Sequence, residues 1–337
     1  MNATMSLENT KHLPVMLDQV LSIISPQHGG TFVDCTFGGG GYSKAILKYP
    51  NTKVLAIDRD ETTKNLAHDL TKQFPERFDF FVNKFSNLSQ IISLNLNPKA
   101  IIFDLGLSSI QLSDDQRGFS FKSKGLLSMQ MGINNYSAYD IVNFLDKKNL
   151  ANVIKIFGEE KDGKIIASKI IKYRTENLIK TSEQLSSIIK DAKRNYKNHK
   201  KNPATKTFQA IRILVNQELS ELILGLIAAA ELLKNGGILV VVSFHSLEDK
   251  IVKYFFNTYS NLKKNPSRYL PINKKKPSLF SIISKKPLTP NKEEILTNNR
   301  ARSAKLRHGT RNSNIFYDDQ ELQKKFENYV GMEAIRL

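Results

Sequence analysis

The sequence has a single cysteine, few acidic residues for its size and no long apolar run. With only Cys35 among 337 residues, it can form no internal disulfide and no cysteine-rich zinc site, as is usual in a reducing compartment. The longest aliphatic run, residues 238–242, is far too short to cross a bilayer, and the polar stretch 1–11 lacks the apolar core of a signal peptide. We therefore expect a soluble, cytoplasmic protein with no membrane partner.

Basic residues greatly outnumber acidic ones. Fifty Lys and Arg against 32 Asp and Glu give a formal net charge of +18. A fold does not require such a surplus, which attracts polyanions and makes nucleic acid the leading class of partner. Charge alone leaves open the alternative that these are solvated surface lysines. The chain is long enough for one elaborated domain or for two.

A glycine-rich stretch at residues 31–43 predicts a ligand-binding turn. A short apolar run ends in Asp34 and is followed by four glycines and a helix-like segment. The spacing from Asp34 to Gly38 and Gly40 fits acid-x-x-x-Gly-x-Gly but not the dinucleotide pattern, whose third glycine falls on Ser43. An acid there repels a pyrophosphate but suits an ammonium and a sulfonium, which favours S-adenosylmethionine over NAD. The alternative is a turn that serves only strand-to-helix packing.

Further apolar runs predict the rest of a doubly wound α/β sheet. Residues 53–58 and 100–104 read as buried strands that end in Asp58 and Asp104, and residues 78–82 and 238–243 read as two more. An acid after the second strand is placed to accept the ribose hydroxyls of an adenosine, and Asp60 is expected to cap the next helix. Phe85 follows the third strand, where it could stack on adenine or pack in the core.

Between the fourth and fifth strands the pattern becomes helical. Residues 116–132 are rich in Gly, Ser and Lys and predict a mobile lid, and residues 138–202 predict an inserted helical domain. The end of the insertion is basic, and it is expected either to bind RNA phosphates or to be a solvated helix end. Its candidate RNA-binding residues are Lys193, Arg194, Lys197, Lys200 and Lys201.

The remaining segments are expected to complete the sheet. Residues 203–233 predict one long helix, and residues 279–283 and 304–307 predict a terminal hairpin. Ser246 and Asp249 have the spacing of a capping box at the start of the helix after the fifth strand. A capping box at these positions leaves Phe244 and His245 unexplained.

Seven motifs together resemble the family of ribosomal RNA small subunit methyltransferase H. They are VDCTFGGGG (33–41), AIDRD (56–60), DLGLSS (104–109), RGFSF (117–121), TKTFQAIR (205–212), SFHSLED (243–249) and RARS (300–303). The resemblance implies a Rossmann-like class I S-adenosylmethionine-dependent methyltransferase with an inserted helical domain. It also implies N4-methylation of a cytidine in 16S rRNA near the ribosomal P site. The basic insertion and the predicted lid favour recognition of folded RNA, so the assembled 30S subunit is the expected partner. The methyltransferase core would span 1–115 and 204–337, and the lid and insertion 116–203.

The resemblance also assigns cofactor contacts. Carried over by position, they fall on Gly40, Gly41, Tyr42, Asp58, Phe85, Asp104 and Gln111. Asp34 and Gly38 join them from the glycine pattern, whereas Gln111 rests on the resemblance alone.

The loops after the fourth and fifth strands supply the candidate catalytic residues. The cytosine amino nitrogen is a poor nucleophile because its lone pair is delocalised, so the enzyme must orient it and accept its proton. We expect this of Asp104, Ser108, Ser109 and His245. Two other readings stay open: a non-catalytic RNA-binding assembly factor, and a DNA or small-molecule methyltransferase. DNA amino-methylases usually carry Pro-Pro-aromatic where this chain has Gly106-Leu107-Ser108, which disfavours the DNA alternative.

Overall fold

The fold is a single seven-stranded sheet flanked by helices. The computed structural model describes residues 14–193, 202–260, 277–318 and 320–337. The sheet order is β3-β2-β1-β4-β5-β7-β6. The strands are β1 Gly30–Asp34, β2 Thr52–Asp58, β3 Phe78–Val82, β4 Ala100–Asp104, β5 Ile238–Ser243, β6 Phe280–Ser281 and β7 Lys305–Arg311.

The described helices connect these strands and form the insertion. They are α1 Leu17–Ile24, α2 Gly41–Leu47, α3 Lys64–Gln73, α4 Leu88–Ile91, α5 Ser109–Ser113, α6 Ala138–Phe144, α7 Lys147–Phe157, α8 Gly163–Arg174, α9 Ser182–Ala192, α10 Thr205–Asn216, α11 Glu218–Leu232, α12 Ser246–Tyr259, α13 Lys292–Thr297, α14 Glu321–Lys325 and α15 Glu327–Glu333.

Strands β1 to β5 are parallel; β3 forms one edge of the sheet and is mostly half-buried, and the other four strands are largely buried. Each pairs with its neighbour in register, for example Asp34 with Ala56 of β2 and with Ile102 of β4. Alternate side chains point to opposite faces, so Phe103 enters one apolar cluster and Ile102 the other. This order, with its crossover between β1 and β4, is the Rossmann-like arrangement expected from the sequence, and ligands bind at that crossover.

The segment predicted to be an inserted helical domain is helical in the structure. Helices α6 and α9 begin at capping boxes, Ser137 with Asp140 and Thr181 with Gln184. Buried residues of α6 to α9 belong to the same apolar cluster as one face of the sheet. The division of the chain at 116 and 203 stays a prediction.

The prediction of one long helix over residues 203–233 is wrong. The helix breaks at Gln217, whose φ is 52°, and α10 and α11 are bent by 55°. The buried carboxylate of Glu333 in α15 accepts hydrogen bonds from the backbone N–H groups of Leu219 and Ser220, at 3.0 and 2.8 Å. A distant helix thus satisfies the donors that the break exposes.

The segment predicted to be a lid is held by Asn216, at the end of α10, and by Asp60, which follows β2. Met131 donates its backbone N–H to Asn216 Oδ1 at 2.8 Å, and Asn216 Nδ2 donates to the Met129 carbonyl at 2.8 Å. Arg117 forms an ion pair with Asp60 and donates to the Gln130 carbonyl. Motion of this segment stays a prediction.

The C-terminal strands close one edge of the sheet. Strand β7 runs antiparallel to both β5 and β6, which confirms the pairing expected of the terminal hairpin. In the described part of the chain, no single helix is long and apolar enough to cross a membrane, although α10 and α11 together reach that length and apolarity as a bent pair.

Candidate active site

Two loops face each other where the strand order reverses, one after β1 and one after β4. The backbone N–H of Asp104 donates to Thr36 Oγ1 at 2.7 Å, which joins the two strand ends. A Cβ added at Gly38 would lie 3.3 Å from Ser108 Cβ, so the loops nearly touch. Gly38 has a φ of 50° and Gly40 one of 74°, a region that side chains other than glycine rarely adopt.

Asp58, at the end of β2, is fixed as a hydrogen-bond acceptor. Its Oδ2 accepts from the backbone N–H of Gly38 at 2.7 Å, and its Oδ1 accepts from that of Asp60 at 2.9 Å. Burial raises the pKa of Asp58 to about 6, against the lowering effect of these two bonds. Each oxygen keeps a second lone pair, so the pair can accept two adjacent ribose hydroxyls.

Asp104, at the end of β4, has a buried carboxylate oxygen without a partner. Its Oδ1 makes no hydrogen bond to the described residues and is shielded from solvent. Burial raises the pKa of Asp104 well above its usual value, and the charges of Asp34 and Glu248 raise it further. An unsatisfied buried acceptor is costly, so this oxygen suits a ligand that brings a donor or a positive charge.

Asp34 and Tyr42 are turned inward. Asp34 is fully buried; it accepts from Ser43 Oγ at 2.7 Å and from the Thr36 backbone N–H at 3.2 Å. The Tyr42 hydroxyl donates to the Val15 carbonyl, and its ring is in the core. This placement argues against direct ligand contact by either side chain. Asp34 could then act on the cofactor only through its charge, and Tyr42 only through its backbone.

Packing fixes the ring of Phe85 and requires glycine at position 41. Phe85 meets Phe103 edge-on, with 5.2 Å between ring centroids, and a Cβ at Gly225 of α11 would lie 2.7 Å from its ring. The structure therefore favours the core role, although Phe85 stays partly exposed at the crevice. At Gly41 a Cβ would come within 2.3 Å of Pro14, so glycine is needed for the close approach of the chain that precedes α1.

Gln111 joins the two sides of the crevice instead of lying free in it. Its Nε2 donates to Asp60 Oδ2 at 2.9 Å, and its Oε1 accepts from the Ser108 backbone N–H at 3.0 Å. Ser108 Oγ accepts from the Gln111 N–H at 3.2 Å, which completes a capping box on α5. The structure shows Gln111 in contact with Asp60, and the direct cofactor contact expected of Gln111 stays a prediction.

Asp60 is both the helix cap predicted from sequence and the centre of this network. Its Oδ1 accepts from the Thr62 N–H at 3.1 Å, and its Oδ2 accepts from Gln111 and Arg117. Burial alone would raise the pKa of Asp60, but hydrogen bonds from Gln111, Thr62 and Arg117 hold it below its usual value. No local pattern predicts the partners Gln111 and Arg117, because they come from distant segments.

His245 caps α12 and lies in a buried charge cluster. Its Nδ1 accepts from the Glu248 N–H at 3.4 Å, and Glu248 Oε2 accepts from the Phe244 N–H at 2.8 Å. The capping pair is therefore His245 with Glu248, and the prediction of Ser246 with Asp249 is wrong. Asp249 instead forms ion pairs with Lys305 and Arg307 of β7, at 2.8 and 2.7 Å.

The groups around His245 determine whether its Nε2 can bind a metal ion. Its Nε2 lies 3.2 Å from Glu248 Oε1 and 4.0 Å from Glu218 Oε2, with poor alignment for a hydrogen bond. These three residues are close enough to hold a metal ion. However, a neutral imidazole whose Nδ1 accepts a hydrogen bond carries its proton on Nε2, so it has no lone pair there for a metal. Arg212 already binds Glu218 through two hydrogen bonds, at 2.7 and 2.8 Å.

The remaining predicted site residues differ in exposure. Ser109 is at the crevice edge, and its Oγ accepts from Arg300 Nη1. Lys193 is buried, and its Nζ donates to Glu160 Oε2 and to the Pro203 carbonyl. This placement argues against phosphate binding by Lys193. The other four candidate RNA-binding residues lie outside the described residues; they are Arg194, Lys197, Lys200 and Lys201.

Comparison with known proteins agrees with this arrangement. The model of the MraW methylase family matches residues 9–312. The chain is 46% identical over 301 residues to ribosomal RNA small subunit methyltransferase H of Ehrlichia ruminantium (strain Welgevonden), covering 88% of this chain and 98% of that protein. It is 41% identical over 316 residues to the protein of the same name from Afipia carboxidovorans, covering 93% and 94%. Since a family model spans most of the chain and relatives match it over nearly their whole length, the chain belongs to the MraW methylase family.

Proposed function

We propose that this protein transfers a methyl group from S-adenosylmethionine to N4 of a cytidine in 16S rRNA, near the ribosomal P site and in the assembled 30S subunit. Family membership supports methyl transfer, and the names of the relatives support ribosomal RNA of the small subunit as substrate. The choice of cytosine N4 rests on the motif resemblance. The observation that carries the proposal is the buried Oδ1 of Asp104 at the crossover between β1 and β4, which makes no hydrogen bond within the described part of the chain.

The residues around the crevice fit the cofactor. Asp58 offers two fixed acceptors to the ribose, and the turn of Gly38 and Gly40 lets the backbone approach closely. Burial raises the pKa values of Asp34, Asp58 and Asp104, so a ligand that carries an ammonium and a sulfonium would favour their charged forms. When bound, S-adenosylmethionine would supply an electrophilic methyl group.

Asp104 and Ser108 are placed to handle the acceptor base. A carboxylate whose pKa is raised by burial is a better proton acceptor near neutral pH, so Asp104 Oδ1 can take the proton from the amino nitrogen. Ser108 Oγ accepts its capping bond from Gln111, which leaves its own O–H free to donate to the base. Phe244 packs toward Gly106 beside this loop, where an added Cβ would lie 3.4 Å from its ring.

In this proposal His245 is a positioning residue and does not contact the reacting atoms. Its side chain is 8% exposed and is held by the cap of α12 and the carboxylates around it. It therefore fixes the backbone that carries Phe244.

The basic residues Arg194, Lys197, Lys200 and Lys201 are proposed to bind the RNA backbone. They lie in a run that is strongly basic in sequence. Neutralising all four should flatten the salt dependence of RNA binding without changing which base is methylated, because phosphate contacts position the complex and base contacts specify it.

The test measures single-turnover methyl transfer to two substrates in parallel, 30S subunits and naked 16S rRNA. Both substrates are prepared without the modification. Mass analysis of the digested nucleosides should show N4-methylcytidine, formed faster on the subunit. Asp104→Asn keeps the shape of the side chain but removes the base, so it should slow transfer by about 10²-fold or more. A folded protein that binds RNA without any turnover would instead establish the assembly-factor alternative, and a product at another atom would overturn the N4 assignment.

A further inference from the structure

The RARS motif at residues 300–303 has no part in the function proposed so far. It forms a short 3-10 turn, Asn299–Ser303, between α13 and β7. Ala301 is fully buried, its N–H donates to the Asn298 carbonyl at 2.9 Å, and its carbonyl accepts from Ala304 at 2.8 Å. The turn is thus anchored by its small residue, while both arginines remain at the surface.

Arg300 reaches the crevice and contacts a serine there. Its Nη1 donates to Ser109 Oγ, 191 positions away in sequence. Among the described residues no carboxylate lies within ion-pair distance of Arg300, whereas Arg212 pairs with Glu218 and Arg307 with Asp249. Burial lowers the pKa of Arg300, and no neighbouring charge offsets this effect. An arginine at a site entrance, with no counterion among the described residues, is available to bind an anion.

The neighbours of Arg300 define where that anion would lie. Ser109 follows Ser108, which is next to Gly38 across the crevice. The guanidinium has five N–H donors in a planar fork that matches two oxygens of a phosphate, and the contact with Ser109 uses one of them. The position is on the acceptor side, beside the loop proposed to hold the base.

We infer that Arg300 binds a phosphodiester of the RNA at the entrance to the crevice, next to the nucleotide that is methylated. This inference rests on the proposed function, because it takes RNA as the acceptor. The one other anion in the proposed reaction is the carboxylate of S-adenosylmethionine. A contact to that group would affect cofactor affinity and would leave RNA binding unchanged.

The experiment compares Arg300→Gln and Arg300→Lys with Lys292→Gln, a matched control on the exposed surface of α13. For Arg300→Gln we expect the KM for RNA to rise by about tenfold or more, with kcat nearly unchanged, because a charged hydrogen bond is lost. The salt slope of RNA binding, measured by filter binding, should fall by about 1. Arg300→Lys should retain the slope but recover only part of the KM. Lys292→Gln and the S-adenosylmethionine affinity of all variants should match the wild type.

Other outcomes would overturn the inference. An unchanged salt slope with a lower Tm would show that Arg300 only ties the terminal segment to Ser109, and weaker cofactor binding with normal RNA binding would assign it to the cofactor carboxylate. Failure of the proposed function looks different, because the wild type itself would then transfer no methyl group, while filter binding would still report on Arg300.

Discussion

Gln111 and Asp60 are joined by a hydrogen bond of 2.9 Å from Nε2 to Oδ2, across 51 positions of sequence. Asp60 donates its backbone N–H to Asp58, and Gln111 accepts from the backbone of Ser108. One pair of side chains therefore links the acid proposed to hold the ribose with the loop proposed to hold the base. Hydrogen bonds in such buried networks support one another, so losing one member should disturb both sides.

Gln111→Ala should weaken S-adenosylmethionine binding and lower the Tm. The change removes two buried hydrogen bonds and leaves Asp60 with less support, a loss of about 1–3 kcal/mol in the free energy of unfolding. Calorimetric titration and thermal unfolding measure the two effects. Gln73→Ala, at the exposed end of α3, is the control and should change neither. Wild-type values for Gln111→Ala would show that the network does not contribute.

Cofactor binding should tighten as the pH rises through about 6. Asp58 has a raised pKa of about 6, so below that pH it is protonated and loses acceptor strength toward the ribose hydroxyls. The affinity of the wild type should fall by up to about tenfold per pH unit below this point. The stability of the unliganded protein should change in the opposite sense. A raised carboxyl pKa adds stability at low pH, and this contribution is lost as the pH rises through 6.

Asp58→Asn tests the origin of this pH dependence. Its affinity should be lower by about 1–3 kcal/mol at pH 7.5 and nearly flat across the pH series, since the titrating group is gone. Asp79→Asn is the control, because Asp79 pairs with Lys53 on the exposed side of β3. An unchanged pH dependence in Asp58→Asn would assign the titration to another group.

Two variants of His245 separate capping from catalysis. His245→Asn keeps a good N-cap residue but removes the imidazole, and His245→Ala removes both. If His245 only positions the backbone, His245→Asn should transfer methyl groups at close to the wild-type rate, while His245→Ala loses about 1 kcal/mol of stability. Single-turnover rates and thermal unfolding give the comparison. A slow His245→Asn enzyme with normal stability and cofactor affinity would restore His245 as a catalytic residue.

Glu333 should make the stability of the protein fall in mildly alkaline solution. Burial raises its pKa to about 8, despite the hydrogen bonds from Ser220 and Leu219. A raised carboxyl pKa gives stability that is complete below about 4.5 and lost as the pH rises through 8. Glu333→Gln cannot ionise, so its Tm should depend less on pH between 6 and 9. Parallel pH dependences in the variant and the wild type would contradict the assignment.

The local pattern of the sequence was enough to predict the sheet and the acids at its edge. Apolar runs of four to six residues, three of them ending in an acid, predicted β1 to β5, with bounds within about two residues of those observed. Because parallel strands end at one edge, the same pattern placed Asp34, Asp58 and Asp104 together. It did not show that Asp34 is enclosed by Ser43 and Thr36.

Contacts between distant segments were decided only by the tertiary structure. Spacing along a helix predicted a continuous helix over 203–233, but a carboxylate from α15 stabilises the break at Gln217. Likewise, the burial of Lys193 against Glu160 and the reach of Arg300 to Ser109 depend on how far-apart segments pack. Periodicity and capping are properties of neighbouring residues and can be read locally, whereas the partner of a charged or amide side chain is set by the fold that brings it near.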